Sequence, residues 1–413
     1  MDSVAQKPKN YFKSTQFLSI KRVIIKKIIS KKEFPKVLII SESPKGSKNG
    51  FGVTLDYFFG NWDKTRITNI YTDQAFQKEF KEKENYLLAH IPFHAGLKYA
   101  LPFLFGIIPE WRNNFSKKWI KKNLKKIKPD LIYSFVYSSA TLQFSTLVAK
   151  ITKLPFIFHI ADDITQEENG EIIIRKAIQF AKRQFVISEN MKTEYQKIFI
   201  KDFDVFHFVS TNIVPSYRQL QNAEHKHQPK VIRFIGSYHK IQHEDAVADV
   251  IDVLKRINQP NVQYNLEFWG TETPTNALNK LTEDSIYKGM FHDCQKLQLI
   301  GESDLLIIPS TFDAKVHKYY KNSFPTKLTE FLLSGVPVLV YGPSDSSSSI
   351  FCKKHSVGIV INKKCKESLF QFLKDFTKNQ NSFDIKARND SIKLRKTMDE
   401  VRMQDKFQKI LQL

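Results

Sequence analysis

Cysteine is scarce in this chain of 413 residues, which contains three: Cys294, Cys352 and Cys365. Three thiols cannot form a disulfide framework, and their spacing does not match a metal site. We therefore expect reduced thiols in a cytosolic protein. Long apolar runs are also missing, because the longest patch, 99–109, falls well short of the ~20 residues that a membrane span needs. The polar start of the sequence has no signal-peptide pattern, so we expect a cytoplasmic protein.

Acidic residues are outnumbered, with 42 Asp and Glu against 64 Lys and Arg, which gives a net charge of +22. The excess is clustered in residues 19–32 and 111–128. In the first cluster four apolar residues share one helical face: Phe17, Ile20, Ile24 and Ile28. This pattern is typical of a basic helix on an anionic membrane surface, and a helix packed on its own domain is the alternative. The patch 99–109 with its basic neighbour leaves the same two interpretations open.

Nucleic acid is not an expected partner. The sequence contains no recognised DNA- or RNA-binding motif, and its lysine runs lack regularly interleaved aromatic residues. A charge-based interaction with a membrane surface remains the simpler use of the basic runs.

Strands and helices alternate twice along the chain. A strand at 36–41 leads into a glycine-containing loop at 42–52 and then a helix, and a second set begins with a strand at 230–236. This order predicts the α/β class, with two Rossmann-like domains whose parallel sheets face each other across a cleft. The predicted divisions are a basic leader at 1–34, a first domain at 35–210, a linker at 211–229, a second domain at 230–388 and a C-terminal closing helix at 389–413.

The segment 322–343 is the most informative part of the sequence. Its Phe-Pro pair ends a loop, because a residue before proline avoids helical angles and proline suits a first helical turn. Thr326 and Lys327 then lie where free backbone N–H groups and the helix dipole favour an anion. Glu330 follows one turn later, roughly 5 Å along the axis. This spacing fits a diphosphate at the helix start with a ribose beside Glu330.

Seven segments, in order, carry a family resemblance: SESPKGSKNGFG (41–52), FIFHIADD (156–163), FVIS (185–188), RFIGSY (233–238), EFWG (267–270), ESDLLIIPSTFD (302–313) and SFPTKLTEFLLSGVPVLVYGP (323–343). With them the chain resembles the GT-B glycosyltransferases of family 4. The resemblance implies a nucleotide-sugar donor on the second domain, an acceptor on the first, and retention of the sugar's anomeric configuration. It also implies that no metal or other cofactor is needed.

The resemblance assigns site residues by position. The donor-binding set is Gly50, Gly52, Ser237, Lys240, Gly270, Phe324, Thr326, Lys327 and Glu330. His159 and Asp162 are the catalytic candidates, with His159 near the transferred sugar. Simpler roles remain open at this stage: the two loop glycines can serve a tight turn, His159 can be a core residue, and Asp162 can cap a helix.

Two positions depart from the family pattern. Many members have a glutamate eight residues before the ribose glutamate, where this chain has Asn322, although sequences of the PTKLxE type commonly lack that acid. Many also follow the Gly236 strand with an Arg and a Lys. Here Lys240, His239 or His243 would take over their work.

From the sequence we expect a retaining hexosyltransferase. It would move a sugar onto a glycan or lipid-linked acceptor in capsule or lipopolysaccharide synthesis, in the cytoplasm or at the inner face of the plasma membrane. The alternative is a non-catalytic GT-B-like subunit that binds a nucleotide sugar within a glycan assembly complex.

Overall fold

The computed structural model describes residues 34–89, 108–207, 229–270, 286–291, 293–398 and 400–412. The predicted basic leader and the patch at 99–109 lie almost wholly outside these residues. The described part divides into two α/β domains, each built around one parallel sheet.

The first domain contains a seven-stranded sheet with the order β3-β2-β1-β4-β5-β6-β7. Every pairing in it is parallel. Its strands are β1 (Val37–Ser41), β2 (Ile67–Tyr71), β3 (Tyr86–Leu88), β4 (Leu131–Val136), β5 (Phe156–Ile160), β6 (Arg183–Val186) and β7 (Asp204–Val205). β1, β4 and β5 are buried along their whole length, as expected for central strands covered on both faces.

The second domain contains a six-stranded sheet with the order β10-β9-β8-β11-β12-β13, again entirely parallel. Its strands are β8 (Lys230–Ile235), β9 (Tyr264–Gly270), β10 (Tyr287–Met290), β11 (Leu305–Pro309), β12 (Val338–Tyr341) and β13 (Ile359–Ile361). The strand order reverses direction beside the first strand of each sheet. That switch point is where α/β sheets bind ligands.

Helices connect the strands of both sheets. In the first domain they are α1 (Gly50–Phe58), α2 (Gln77–Phe80), α3 (Ile108–Ile127), α4 (Ser139–Thr152), α5 (Gly170–Phe180) and α6 (Glu189–Phe199). In the second they are α7 (Lys240–Ile257), α8 (Asp293–Gly301), α9 (Ala314–Tyr320), α10 (Thr326–Ser334), α11 (Ser347–His355) and α12 (Lys366–Met398). The last described helix is α13 (Glu400–Leu411).

Helix α13 returns from the second domain to the first. The ring of Phe407 stacks on Phe58 of α1 with centroids 4.7 Å apart and meets Tyr133 of β4 edge-on at 5.2 Å. Gln404 donates a hydrogen bond to the carbonyl oxygen of Tyr57 at 3.0 Å. The C-terminal helix thus completes the aromatic core of the first domain and ties the two domains together.

The predicted fold class is confirmed: two Rossmann-like domains with parallel sheets and a C-terminal helix. The sequence prediction missed four strands, β2, β3, β7 and β10. They are edge or near-edge strands that are short or carry polar residues, so their apolar runs are weak. β7 ends at Val205, within the predicted first domain (35–210) and before the predicted linker (211–229).

Candidate functional site

The start of α10 is an unblocked helix terminus. Pro325 is the N-cap residue, and no side chain caps the first turn. The preceding Phe324 is buried, with its ring 4.8 Å from His207 and 5.1 Å from Phe351. Its ring therefore anchors the loop, and only its backbone can take part in binding. The free N–H groups of the first turn are suited to an anion.

A glycine of the first domain faces this helix start across the cleft. A Cβ atom built on Gly50 would lie 3.7 Å from the Thr326 hydroxyl oxygen. Gly50 itself begins α1, whose N-cap Asn49 accepts a hydrogen bond from the Gly52 N–H at 2.9 Å. Two helix starts, one from each domain, therefore meet at the cleft.

Gly52 has a different reason to be glycine. A Cβ atom there would lie 2.0 Å from the Ser47 hydroxyl and 2.6 Å from the Ser47 carbonyl oxygen. The loop can close only without a side chain at this position, so its folding alone requires the glycine.

Lys327 points from α10 toward the end of β8. Its ammonium lies 4.1 Å from the centroid of the Phe234 ring and 3.4 Å from the carbonyl oxygen of Ser237. Gly236 has φ +133°, and a Cβ atom on it would lie 3.1 Å from this ammonium. Burial, reinforced by the charge of Lys296, lowers the pKa of Lys327 to about 7. The lysine therefore sits at the cleft with a readily titrated amine.

Glu330 lies one turn further along α10 and is buried. Its carboxylate forms an ion pair with Lys296 of α8. Lys296 was not predicted from the sequence, because 34 residues separate it from its partner and no local pattern marks it. Two lysines, one from α8 and one from α10, and one glutamate therefore lie near the start of α10.

The other donor candidates lie at the carboxyl ends of β8 and β9. Ser237 follows Gly236 and is half-buried, and Gly270 ends β9 immediately before residues 271–285, which are not described. Lys240 begins α7, and its side chain lies outside the described part. His243 accepts a hydrogen bond from the His239 N–H at 3.0 Å, and burial together with the Lys327 charge lowers its pKa well below the usual value. A neutral His243 cannot replace a phosphate-binding arginine.

His159 lies in the aromatic core of the first domain and is 0% exposed. Its Nδ1 atom is 2.9 Å from the Tyr133 hydroxyl, and its ring stacks on Phe58 at 5.9 Å and meets Phe135 at 5.0 Å. Burial lowers its pKa to about 3, so the ring is neutral. The ring contacts of His159 within the described residues are all with the aromatic core of the first domain.

Asp162, in contrast, reaches the second domain. Its carboxylate accepts a hydrogen bond from the Ser323 hydroxyl at 2.8 Å, three residues before α10 begins. Burial raises its pKa to about 6, helped by the charge of Asp163 and opposed by the Ser323 bond. Asp162 is thus the catalytic candidate that the structure brings next to the helix start.

Asn322 joins the domains through two acids. Its side-chain amide nitrogen donates to Asp163 and to Glu194, both at 2.7 Å, and the Ser188 hydroxyl donates to the backbone carbonyl oxygen of Asn322 at 2.8 Å. The side chain is 0% exposed. A glutamate here would be a third carboxylate in the group, so the departure from the family pattern has a physical reason.

Glu42 is a further acid that sequence reasoning missed, although it directly follows β1. Its buried carboxylate accepts hydrogen bonds from the Ser138 N–H at 2.9 Å and the Ser138 hydroxyl at 2.6 Å, at the start of α4. Burial raises its pKa to about 7. It therefore fixes the loop ahead of α4 next to the glycine-containing loop.

The described residues lack two kinds of feature. No group of three or more His, Cys, Asp or Glu residues there is arranged to hold a metal ion. Among the same residues, none of the helices has the length and apolar character to cross a membrane.

No family model matches the sequence, and no curated protein matches it. Solved structures do resemble the fold. The structure of Anabaena HepE in complex with UDP and glucose aligns with a TM-score of 0.63 at 15% identity, covering 91% of this chain and 99% of that one. Sucrose-phosphate synthase from Thermosynechococcus elongatus aligns with a TM-score of 0.65 at 10% identity, covering 92% and 98%. The outer-core galactosyltransferase WaaB of lipopolysaccharide aligns with a TM-score of 0.55 at 15% identity, covering 86% and 97%. The chain thus has the GT-B fold, and the start of α10 lies at its cleft.

Proposed function

We propose that this protein is a glycosyltransferase that takes its sugar from a nucleotide diphosphate. The main support is the meeting of Gly50, Thr326 and Lys327 at an uncapped helix start. In this proposal the diphosphate binds the free N–H groups of α10 and the Lys327 ammonium, and Glu330 accepts hydrogen bonds from the ribose. The HepE structures contain UDP or UDP-glucose, which makes a nucleotide sugar the natural ligand to test first.

The proposed chemistry needs no metal ion. As the bond from the sugar to the diphosphate breaks, negative charge develops on the leaving phosphate. Oriented N–H groups and a lysine stabilise that charge directly. The finer assignment is a retaining hexosyltransferase of family 4, with Asp162 contacting the acceptor beside Ser323. It rests on the sequence resemblance.

We place the acceptor in cell-surface polysaccharide synthesis, as a glycan or a lipid-linked precursor at the inner face of the plasma membrane. Support for a peripheral membrane position comes from α3, whose later turns expose a row of lysines: Lys118, Lys121, Lys122, Lys125 and Lys126. Each such lysine near an anionic surface contributes about 1 kcal/mol of attraction. Sedimentation with anionic vesicles at low salt tests this, since removal of residues 1–34 should release the protein.

Thermal shifts with UDP-, GDP-, ADP- and dTDP-sugars test the donor class. Calorimetry of the best ligand then tests the site. Lys327→Ala and Glu330→Ala should each weaken binding by ~1–3 kcal/mol without unfolding the protein. The exposed Lys353 of α11 supplies a matched control, and Lys353→Ala should bind as wild type does. Wild-type affinity in both site variants would refute the proposed site.

One observation favours a second candidate, a non-catalytic subunit that binds a nucleotide sugar. His159, which the family resemblance assigns to catalysis, is enclosed by aromatic side chains. Transfer and hydrolysis assays with labelled nucleotide sugars distinguish the two candidates. Binding without turnover across donors and glycan acceptors would favour the subunit, whereas release of the nucleotide would favour the enzyme.

A further inference from the structure

Three charged side chains share the start of α10: Lys327 and Glu330 from α10 itself, and Lys296 from α8. The ion pair between Lys296 and Glu330 is partly enclosed, because the two side chains are 29% and 8% exposed. A carboxylate this buried needs a charged partner, since removing one member of such a pair destabilises the other strongly. Lys296 is therefore part of the site's electrostatics.

Lys327 and Glu330 are three residues apart on α10, so their side chains are neighbours on one face of the helix. The charge of Glu330 acts to raise the Lys327 pKa, and the charge of Lys296 acts to lower it. Two ammonium groups thus compete for one carboxylate. If Lys296 were neutral, Glu330 would turn toward Lys327 and neutralise the cation that the diphosphate needs.

The position of Lys296 is fixed by the sheet, through Arg233 of β8. Arg233 of β8 donates a hydrogen bond to the Leu299 carbonyl oxygen at 2.9 Å, one turn after Lys296 on α8. The same Arg233 pairs with Glu267 of β9 at 2.6 Å, and Trp269 donates to that carboxylate at 3.1 Å. Buried, hydrogen-bonded ion pairs of this kind orient the element that they hold. These bonds fix the position of α8 on the sheet, and therefore the position of Lys296 relative to Glu330.

We propose that Lys296 is a positioning residue for the ribose: it holds Glu330 by one carboxylate oxygen and leaves the other free for the sugar hydroxyls. This inference rests on the proposed donor site. By occupying Glu330, Lys296 also keeps Lys327 unpaired for the diphosphate. Two lysines from different helices and one glutamate then form a charge arrangement suited to a nucleoside diphosphate.

The test compares a nucleoside diphosphate with its 2′,3′-dideoxy counterpart, using the tightest-binding of UDP, GDP and ADP. Calorimetry should show that wild type prefers the ribose form by roughly 10-fold or more, as expected for hydrogen bonds to a charged group. In Lys296→Met the preference should fall to about 1–2-fold. Lys296→Arg keeps the charge and should keep the preference, and Lys353→Met controls for the loss of one positive charge from this domain.

A pH series supplies a second readout that a purely structural role would not change. Loss of the Lys296 charge, with Glu330 free to pair with Lys327, should raise the Lys327 pKa. The pH above which wild-type affinity begins to fall should therefore move upward in Lys296→Met. If Lys296→Met does not fold, Lys296→Gln gives the same comparison with a neutral partner still next to Glu330.

The outcomes separate the two proposals. An unchanged ribose preference in a folded Lys296→Met or Lys296→Gln variant would overturn the role of Lys296 and leave the donor site standing. If wild type bound none of the three nucleoside diphosphates, both the donor site and the Lys296 inference would fall.

Discussion

The two sheets present opposite charges where their strands end. In the first domain Glu42 follows β1, Asp162 and Asp163 follow β5, and Glu194 of α6 joins Asp163 at Asn322, so this side is acidic. In the second domain a basic pair, Lys296 and Lys327, surrounds the start of α10. A diphosphate is attracted to the basic side and repelled from the acidic side, whereas sugar hydroxyls can donate to carboxylates. In the proposed site, the polarity of the cleft would orient a nucleotide sugar before any specific contact forms.

Burial shifts the pKa values of the acidic groups and of the lysine so that the uncharged forms are favoured. It raises the pKa of Glu42 to about 7 and that of Asp162 to about 6, and it lowers the pKa of Lys327 to about 7. The acidic groups gain charge and the lysine loses charge as pH rises through the same range. The cleft is consequently most favourable to an anionic donor on the acid side of neutrality.

The largest expected effect comes from adding an acid to the acidic side of the cleft. Asn322→Glu would place a third carboxylate between Asp163 and Glu194 at a position that is 0% exposed. We expect a loss of ~3–5 kcal/mol in the free energy of unfolding, typical of an uncompensated buried charge. Urea unfolding measures it, and the loss should shrink at pH 5, where carboxylates begin to be protonated.

Asn190 provides the control for that experiment. It also donates across the domains, to the Asp345 carbonyl oxygen at 3.0 Å, but it is only half-buried. Asn190→Glu should cost less than about 1 kcal/mol, because solvent screens the new charge. Equal stability of the two glutamate variants would show that Asn322 is not enclosed by acids.

The next largest expected effect is the pH dependence of ligand affinity that Lys327 causes. In the proposed site the protonated Lys327 binds the diphosphate, and burial lowers its pKa to about 7. The contribution of Lys327 to affinity for a nucleotide sugar, whose diphosphate does not titrate in this range, should be constant below pH 7. Above it, affinity should fall by up to ~10-fold per pH unit, or ~1.4 kcal/mol. Calorimetry from pH 6 to 9 measures the slope.

An arginine at the same position sharpens this prediction. Lys327→Arg stays charged across the whole range, so the fall in affinity between pH 7 and 9 should disappear even if binding is weaker. A wild-type protein without pH dependence would indicate that Lys327 is fully protonated when free, or that it does not contact the ligand.

The smallest expected effect on stability concerns the hydrogen bond between Ser323 of the second domain and Asp162 of the first. Ser323→Ala removes the hydrogen bond from the hydroxyl to Asp162 and should cost ~1 kcal/mol of stability at pH 7. The hydroxyl stabilises the ionised carboxylate, so the loss should be smaller at pH 5, below the Asp162 pKa of about 6. Ser344→Ala, at an exposed position of the same domain, should change stability by less than about 0.5 kcal/mol. Identical losses at both pH values would contradict an ionised Asp162 at this contact.

The start of α10 was predictable because its determinants are local. A proline, a first-turn lysine and a glutamate one turn later fix the helix start and the face on which they lie. His159 was harder, because a strand residue points to one face or the other according to the pleat, and the packing of α1 and α13 decides what covers that face. Lys296 and Glu42 act on residues far away in the sequence, so their roles emerge only from the tertiary fold.

The hydrogen bond between Asn61 and Gln404 spans 343 positions of the chain. During synthesis, the first domain emerges from the ribosome long before α13 exists to cover Phe58 and Tyr133. Until then a patch of aromatic rings is open to water and to chaperones. The aromatic core of the first domain is therefore complete only after translation has passed through the second domain.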